Sequence, residues 1–521
     1  MKKLFILLIV LCLPVPVFSQ GVFRIGNGAE PQSLDPHLIS GVPEHRIYVS
    51  LFEGLVAFDP KTADPIPGVA ESWTISKDGL TYAFKLRKDA VWSDGVRITA
   101  QTVVDSWLRC LNPETAAEYA SLLTGVIQGA DEYNTKKGGP EGVGLKALDN
   151  NTFQMTMKAP APYALGMLGH YAFAILPMHA IQKYGKDWTK PENWVSNGPF
   201  VLAEWKPQDR IVVKKNSKYW DAAKVKLDQV VYYPIDDNNT AFNMYLNGEL
   251  DWQSVTPRER IEEAKKRPDF ENAAYLGTYY YIFNQTKPPF NDARARKAFS
   301  MAVDRKELVE KVTKGGEFPA LSYVPPMSGY KPMAGLTENV AEAKKLLGAA
   351  GFPDGKGFPK VTILYNTSES HKKIAEYLQQ RWEQTLGVKV DLVNQEWKTY
   401  LDTRRDGKMG GYEFARAGWI GDYKDPYNFL FMWLSDNFDF NDGRWKNTQY
   451  DALVAKANGM AAGPKRMEVF QEAEKILIEQ DQAIMPIYWY TTLNMIDVKK
   501  WEGWYSNVLD IHPTKFVSPK K

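Results

Sequence analysis

The strongest restriction on the fold comes from a strand–helix–strand pattern at residues 361–392. Residues 361–365 are apolar and strand-like, and residues 372–386 carry apolar side chains at helical spacing, with Gly387 where a helix C-cap belongs. Alternating apolar residues at 388–392 predict a second strand. Because such a unit joins parallel neighbours through a right-handed crossover, it predicts an α/β fold with a parallel strand pair.

A hairpin and three more helices follow from local patterns. Residues 81–87 alternate between apolar and polar, and Asp-Gly turns stand on both sides of them, which predicts an antiparallel hairpin. Helical spacing predicts a helix from 291 or 292 past 304, another over 340–347 and a third over 467–480. With 521 residues and no internal repeat, we predict an α/β chain of several domains.

The N-terminus has the pattern of a secretory signal peptide. Lys2 and Lys3 precede an apolar run of about ten residues, which is shorter than a membrane span, and Ser19 offers a small residue for cleavage. We expect residues 1–19 to be removed and the mature chain to be exported. Lipidation at Cys12 is an alternative, which the preceding Leu11 disfavours because a small residue is expected there.

Composition excludes several classes of protein. The formal net charge of +2 gives no electrostatic case for binding nucleic acid or an anionic membrane. The 44% of hydrophobic residues is too high for a disordered chain. After signal cleavage Cys110 is alone, so no intramolecular disulfide can form, and we expect this cysteine to be buried and inert.

Motifs for catalysis or cofactor binding are weak. The six histidines do not form the i, i+4 pair of a zinc protease, and residues 351–357 match a phosphate-binding loop poorly, so a turn is expected there. No Gly-x-Ser-x-Gly nucleophile motif occurs. We therefore expect no cofactor, no metal and no enzymatic activity, although uptake of a metal or haem remains an alternative.

Two motifs carry a family resemblance. Residues 67–73 read Pro-Gly-Val-Ala-Glu-Ser-Trp, and residues 84–95 read Phe-Lys-Leu-Arg-Lys-Asp-Ala-Val-Trp-Ser-Asp-Gly. They resemble the family 5 extracellular solute-binding proteins of ABC importers, in particular the periplasmic oligopeptide-binding group. Matching stretches extend the resemblance over essentially the whole mature chain, at residues 30–37, 41–44, 287–292, 364–368, 393–398, 415–419 and 422–423.

The resemblance implies a two-lobed periplasmic binding protein, of the class II, cluster C type, with three domains and hinge closure. Domain I, the first lobe, would be discontinuous and combine residues 20–52, 179–279 and 488–521. Domain II would be an insertion over residues 53–178, and domain III, the second lobe, would cover residues 280–487. A short peptide would lie extended between the lobes and be enclosed when they close.

Peptides of varied sequence share only a backbone, an α-ammonium and an α-carboxylate, so a general site must read these groups. By resemblance, Asp422 would bind the ammonium, although the residue alone also fits a turn or capping role. Arg416, Arg404 and His371 would bind carboxylates of peptides of different lengths, although alone they fit solvated surface positions. The expected backbone contacts are Ser40, Val42, Ala417, Gly418 and Ile420. The expected walls of the side-chain pockets are Trp397, Trp419, Tyr119, Tyr275, Tyr280 and Tyr488.

Two departures from the family pattern involve three positions. Some relatives carry cysteines at the positions of Gly277 and Ile420, and no such bridge is possible here. Ser40 replaces an acidic residue of close relatives, which predicts a weaker preference for peptides containing Lys or Arg.

The resemblance also implies partners. We expect a periplasmic monomer that closes on short peptides and delivers them to the inner-membrane permease subunits of an ABC transporter. One alternative is a murein tripeptide-binding protein for cell-wall peptide recycling, with Arg404 or Arg405 reading a second carboxylate. An alternative from another class is a secreted peptide hydrolase.

Overall fold

The computed structural model describes residues 21–327, 329–405, 412–438 and 440–520, without the side chains of residues 397 and 398. The predicted signal peptide therefore lies outside the described residues. Within those ranges, none of the helices combines the length and the apolar character needed to cross a membrane.

The first large sheet has seven strands from distant parts of the sequence. Its central strand pairs in parallel with both neighbours, and the remaining pairs are antiparallel. In spatial order the strands are Phe270–Glu271, Asn494–Ile496, Trp252–Gln253, Val22–Gly26, Gln229–Tyr233, Arg210–Lys215 and Phe200–Lys206.

The second large sheet has six strands and contains the predicted strand–helix–strand unit. Val361–Asn366 and Val390–Gln395 pair in parallel, and the helix Glu369–Leu386 joins them, so this prediction is confirmed. Gly387 ends the helix at φ +70°, a left-handed conformation that a residue without Cβ adopts at little cost. In spatial order the strands are Phe318–Pro319, Ile484–Thr491, Ala274–Phe283, Phe414–Ile420, Val361–Asn366 and Val390–Gln395.

A four-stranded antiparallel sheet lies within residues 70–156 and confirms the predicted hairpin. Thr81–Leu86 pairs with Ala70–Ile75, and its residues Tyr82, Phe84 and Leu86 are buried. The other two strands are Leu145–Asp149 and Thr152–Thr156. Two small ribbons complete the strands, formed by Val56–Phe58 with Pro65–Pro67 and by Trp501–Glu502 with Ser518–Pro519.

The α-helices cover the faces and ends of these sheets. Their bounds are Val42–Leu51, Ala100–Leu111, Ala120–Thr124, Ala130–Asn134, Ala164–Met167, Met178–Tyr184, Asn238–Leu246, Ile261–Ala264, Ala293–Met301, Arg305–Glu307, Val340–Ala349, Glu369–Leu386, Trp397–Arg405, Tyr427–Leu430, Thr448–Asn458 and Pro464–Lys475. Wider π-helical turns follow two of them, at Leu308–Thr313 and Ile476–Gln480.

One helix prediction is wrong in its continuity. The helix predicted from 291 or 292 past 304 ends at Met301, and a new helix begins at Arg305. The break has a local cause, because the Asp304 side chain accepts a hydrogen bond from the Glu307 N–H and so caps a new N-terminus. Cys110 is buried in the helix Ala100–Leu111 as predicted, and burial raises the pKa of its thiol to about 12.

Candidate functional site

A cavity of about 640 Å³ lies beside the six-stranded sheet and is lined by residues from segments near 40, 119, 170, 275, 404, 420 and 510. The helix Val42–Leu51 contributes to one wall and the strand Phe414–Ile420 to another. Of the predicted site residues, those lining the cavity are Ser40, Val42, Tyr119, Tyr275, Tyr280, Arg404, Arg416, Gly418, Trp419, Ile420 and Asp422. Residues from distant parts of the sequence thus meet around one space large enough for a short peptide.

Asp422 lines this cavity with a carboxylate that has no cationic partner among the described residues. Its side chain is 15% exposed, and within the described part of the chain its Oδ2 atom accepts no hydrogen bond. The backbone N–H of Asp422 donates to Asn428 Oδ1 at 3.2 Å, and that oxygen also accepts from Trp419 Nε1 at 2.9 Å. Burial raises the pKa of Asp422 to about 7, and Asn428 opposes this shift only in part. The site therefore favours a cationic ligand group beside Asp422.

His170 is the nearest ionisable neighbour of Asp422, but it is uncharged. Its Nε2 atom lies 3.6 Å from Asp422 Oδ1. Its Nδ1 atom accepts a hydrogen bond from the Ala172 N–H at 3.2 Å, which assigns the ring proton to Nε2. Burial, and then the neighbouring His45, hold the pKa of His170 well below its ordinary value. His170 can thus orient the carboxylate of Asp422 but does not neutralise its charge.

Arg416 presents a cation to the same cavity. Its Nη1 donates to Asn366 Oδ1 at 3.2 Å and its Nη2 to the Tyr490 hydroxyl at 3.1 Å. The guanidinium carbon lies 4.7 Å from the centroid of the Tyr279 ring, a cation–π distance. Among the described residues no carboxylate pairs with it, and its buried Nε has no acceptor. Arg416 is therefore available to an anionic group of a ligand.

Arg404, the second predicted cation, is already paired. Its Nε donates to Asp442 Oδ2 at 2.5 Å, and its Nη1 donates to the Tyr400 hydroxyl at 3.0 Å. The Asp442 side chain is almost completely buried, so the pair is a fixed part of the wall. The neighbouring Arg405 is exposed and also lines the cavity. Arg404 and Arg416, which look equivalent in the sequence, therefore differ in the structure, because only Arg404 is paired with a carboxylate among the described residues.

One edge of the strand Phe414–Ile420 is open next to the cavity. The parallel strand Val361–Asn366 pairs only with its first two residues, Phe414 and Ala415. On the other edge the strand pairs throughout with Ala274–Phe283. A strand whose backbone groups are unpaired on one side can add an extended peptide as a further strand.

The orientation of the backbone decides which residues face that open edge. The Gly421 N–H donates to the Leu276 carbonyl at 2.6 Å, toward the paired neighbour, while the Arg416 carbonyl accepts from the Tyr400 hydroxyl on the other side. Since successive residues of a strand point their backbone groups to opposite sides, Gly418 and Ile420 face the open edge with Arg416. Ala417 faces the paired strand instead.

Three predicted site residues lie away from the cavity wall. Ala417 is buried because its side chain packs in the hydrophobic core, and its backbone groups face the paired strand. His371 lies behind Arg416, where its Nδ1 is 3.3 Å from the Tyr279 hydroxyl and burial, followed by Arg416 and Arg258, lowers its pKa well below the ordinary value. Tyr488 is buried and stacks on the Tyr279 ring at 4.8 Å. The side chain of Trp397 lies outside the described residues.

Several cavity residues were missed by the sequence analysis. They are Arg46, His170, Tyr171, Asp510 and His512. His170 and His512 were noted only as scattered histidines, because nothing in the local sequence marks them as neighbours of Asp422 or Asp510. Their common environment arises only when segments near residues 46, 170 and 510 come together.

Contacts join residues 64 and 163 to the segment 423–427, which follows the strand Phe414–Ile420. The ring of Tyr163 stacks on Tyr423 at 5.0 Å and on Tyr427 at 5.4 Å. Lys424 forms an ion pair with Asp64. The contact between His170 and Asp422 joins nearby parts of the same two regions.

Residues 64–441 match the bacterial extracellular solute-binding proteins, family 5 Middle. The chain belongs to this family. The resemblance seen in the sequence is thereby confirmed, and with it the two-lobed α/β architecture.

Relatives of this family 5 protein include the periplasmic oligopeptide-binding protein OppA of Escherichia coli. It is 42% identical over 494 residues, which cover 92% of this chain and 89% of OppA. The Haemophilus influenzae OppA structure, in complex with the peptide RPPGFSPFR, has a TM-score of 0.87 at 34% identity and covers 97% of this chain and 100% of that one.

A further family 5 relative, the murein tripeptide-binding protein MppA of Escherichia coli, has been solved in two forms. One structure has a TM-score of 0.86 and the unliganded open form has 0.74, both at 35% identity and with 96% of this chain and 98% of MppA covered. Because sequence and coverage are equal, the lower score reflects a different arrangement of the lobes. The present structure is less like the open form.

Proposed function

We propose that this family 5 protein is a periplasmic binding protein that captures short oligopeptides of varied sequence between two closing lobes. It then delivers them to the inner-membrane permease subunits of an ABC transporter. It acts as a monomer, and it binds its peptides without hydrolysing them. The names of its relatives support the ligand class, and the charges and backbone edges of the cavity support the mode of recognition.

The observation that carries the proposal is the unpaired carboxylate of Asp422. A buried carboxylate without a cation costs free energy, which is why burial raises the pKa of Asp422 to about 7. A peptide α-ammonium supplies the missing positive charge and three hydrogen-bond donors. The ammonium therefore binds at Asp422, with His170 holding the carboxylate in place from the opposite side.

The other end of the peptide is read by Arg416. This guanidinium has hydrogen bonds to Asn366 and Tyr490 but no acidic partner in the described part of the chain. Between the two charged ends, the peptide backbone pairs with the open strand edge at Gly418 and Ile420, and with the segment 40–42 on the opposite wall. Neither contact depends on the peptide's side chains, so sequences of many kinds are accepted.

Lobe closure follows the predicted division into domains I, II and III. The strands Ala274–Phe283 and Ile484–Thr491 extend across the proposed boundaries at 279/280 and 487/488, so these two strands form the hinge. A peptide that touches both lobes binds the closed arrangement best and shifts the population toward it. The closed form is the one that docks on the permease.

The murein tripeptide alternative differs in how a second carboxylate would be read. Arg404 is an unsuitable reader because Asp442 already neutralises it, which leaves the exposed Arg405. General oligopeptide binding needs no second reader and is the function proposed here.

Native mass spectrometry of protein purified without denaturation tests the proposal. We expect co-purified ligands with a spread of peptide masses, whereas a single tripeptide mass would indicate murein recycling. Calorimetry with one peptide in free and N-acetylated form tests the site itself. Asp422→Ala and acetylation should each weaken binding by about 2–5 kcal/mol, and their effects should not add.

A matched control and a direct test of hydrolysis complete the experiment. Asp402→Asn removes an exposed carboxylate on the same cavity and should leave the affinity nearly unchanged. Peptides incubated with the protein should be recovered intact. Full affinity for the acetylated peptide would remove Asp422 as the ammonium site, and cleaved peptide would favour the hydrolase alternative.

A further inference from the structure

Arg46 is a second cation on the cavity wall without a carboxylate partner. It lies on the helix Val42–Leu51, lines the cavity and is only 8% exposed. Within the described ranges it forms no ion pair. Its Nη1 donates to the carbonyl and side-chain oxygens of Asn27, at 3.3 and 3.1 Å. In the described part of the chain, its guanidinium has no buried nitrogen that lacks a hydrogen-bond acceptor. The other nitrogens are thus accessible from the cavity.

The surroundings hold this guanidinium in place without neutralising it. Its carbon lies 4.9 Å from the centroid of the Trp252 ring, which gives a cation–π contact on one face. Asp510 interacts electrostatically with Arg46, and its Oδ1 accepts from Asn494 Nδ2 at 2.9 Å and from His512 Nε2 at 2.8 Å. Asp510 is therefore committed to other donors and leaves Arg46 without a hydrogen-bonded anion.

We propose that Arg46 binds the carboxylate of an acidic side chain, Asp or Glu, of the peptide, and so gives this protein a preference for acidic peptides. This inference rests on the proposed function. Asp422 takes the α-ammonium and Arg416 the α-carboxylate, so Arg46 is the remaining buried cation without an acidic partner among the described lining residues. A guanidinium offers two parallel donors that fit a carboxylate.

The side chains of an extended peptide share the cavity with Arg46. The peptide backbone pairs with the open edge at Gly418 and Ile420, and successive side chains then point to opposite sides. Because Arg46 lines the same cavity as Gly418 and Ile420, side chains of the peptide lie in the same space as Arg46. Ser40 lies on the same cavity and adds no negative charge to compete with an acidic side chain.

Calorimetry with matched peptides tests this inference. Tetrapeptides of Ala in which one position at a time is Glu or its uncharged isostere Gln would be compared on the unmodified protein. At one position we expect the Glu peptide to bind about tenfold or more tighter than the Gln peptide. In Arg46→Met, which keeps most of the aliphatic stem, this ratio should fall to about one.

Further variants separate charge from folding. Arg46→Lys keeps the charge and should retain part of the preference for the Glu peptide over the Gln peptide. Asp510→Asn removes a competing negative charge and should increase this preference. Arg294→Met removes an exposed arginine of the second lobe and should leave it unchanged. Thermal unfolding of each variant identifies any that fail to fold. If Arg46→Met does not fold, the preference for Glu is tested with Arg46→Lys instead.

The outcomes distinguish this inference from the proposed function. If Gln peptides bind well but Glu gives no advantage at any position, the acidic preference is wrong and oligopeptide binding stands. A ratio that survives in Arg46→Met would also overturn it. If no peptide binds the unmodified protein at all, the proposed function itself fails.

Discussion

The imidazole Nε2 of His170 lies 3.6 Å from Oδ1 of Asp422, and this contact joins two regions of the fold that are far apart in the sequence. His170 follows the short helix Ala164–Met167, and Asp422 follows the last residue of the strand Phe414–Ile420. Since His170 is neutral, the pair leaves a net negative charge beside the cavity. If Asp422 binds the peptide ammonium as proposed, this recognition is coupled to the contact between the two regions.

Peptide affinity should depend on pH in a bell-shaped manner. Burial raises the pKa of the ligand-free Asp422 to about 7, and only the ionised carboxylate binds an ammonium. Affinity should therefore fall up to about tenfold per unit as the pH drops below 7. Above about pH 8 it should fall again, because the peptide α-ammonium loses its proton. Calorimetry from pH 5 to 9 measures the affinity at each pH. An affinity that does not change below pH 7 would contradict Asp422 as the ammonium site.

Asp422→Asn should stabilise the ligand-free protein at pH 8. The folded state raises the pKa of Asp422 above its unfolded value of about 3.9, so between these values the folded state binds more protons and stability falls as pH rises. The asparagine removes a penalty on the order of 1–3 kcal/mol. Thermal unfolding should show a higher Tm for the variant than for the unmodified protein at pH 8. The difference in Tm should be smaller near pH 4. A variant less stable at pH 8 would show that Asp422 has a folding role.

Two neighbouring arginines should respond differently to substitution by methionine. Arg404→Met leaves Asp442 buried without its cation and should destabilise the fold by about 3–5 kcal/mol. Arg416→Met breaks no ion pair among the described residues, so its main effect should be weaker peptide binding, about tenfold or more. Denaturant unfolding and calorimetry on both variants separate the two effects, and equal loss of stability would count against the distinction.

Ser40→Glu should change ligand preference rather than general affinity. Ser40 is exposed to the cavity, and a carboxylate there adds one negative charge close to the peptide's side chains. Lys-containing peptides should gain affinity relative to Ala-containing ones, by about threefold to tenfold. Ser40→Gln is the uncharged control. Equal loss for both peptides would contradict the interpretation of this position.

Tyr163→Ala should favour the open arrangement. Its ring stacks on Tyr423 and Tyr427, which lie far from it in the sequence, and its hydroxyl donates to Asn458 at 2.5 Å. Aromatic contacts of this kind contribute about 1 kcal/mol each, so peptide affinity should fall about tenfold. Small-angle scattering of the ligand-free variant should show a larger radius of gyration than Tyr163→Phe. An unchanged radius of gyration would mean that these ring contacts do not keep the ligand-free protein compact.

Patterns short enough to lie in one segment were read correctly from the sequence. The strand–helix–strand unit follows from apolar spacing and from Gly387, and the hairpin at residues 81–86 follows from strict alternation next to an Asp-Gly turn. The break at Asp304 was missed because its capping hydrogen bond competes with a continuing apolar pattern. Family membership was likewise readable, since its motifs are contiguous.

What the sequence by itself determined was several local elements, the family and the types of charged residue expected at the site. Only the tertiary structure decided which charges are unpaired. Arg404 meets Asp442, whereas Arg416 and Arg46 meet no acidic partner in the described chain, and Asp422 meets a neutral histidine. The reason is physical: a side chain's charge state and availability depend on burial and on neighbours within a few ångströms, and folding brings those neighbours from distant segments.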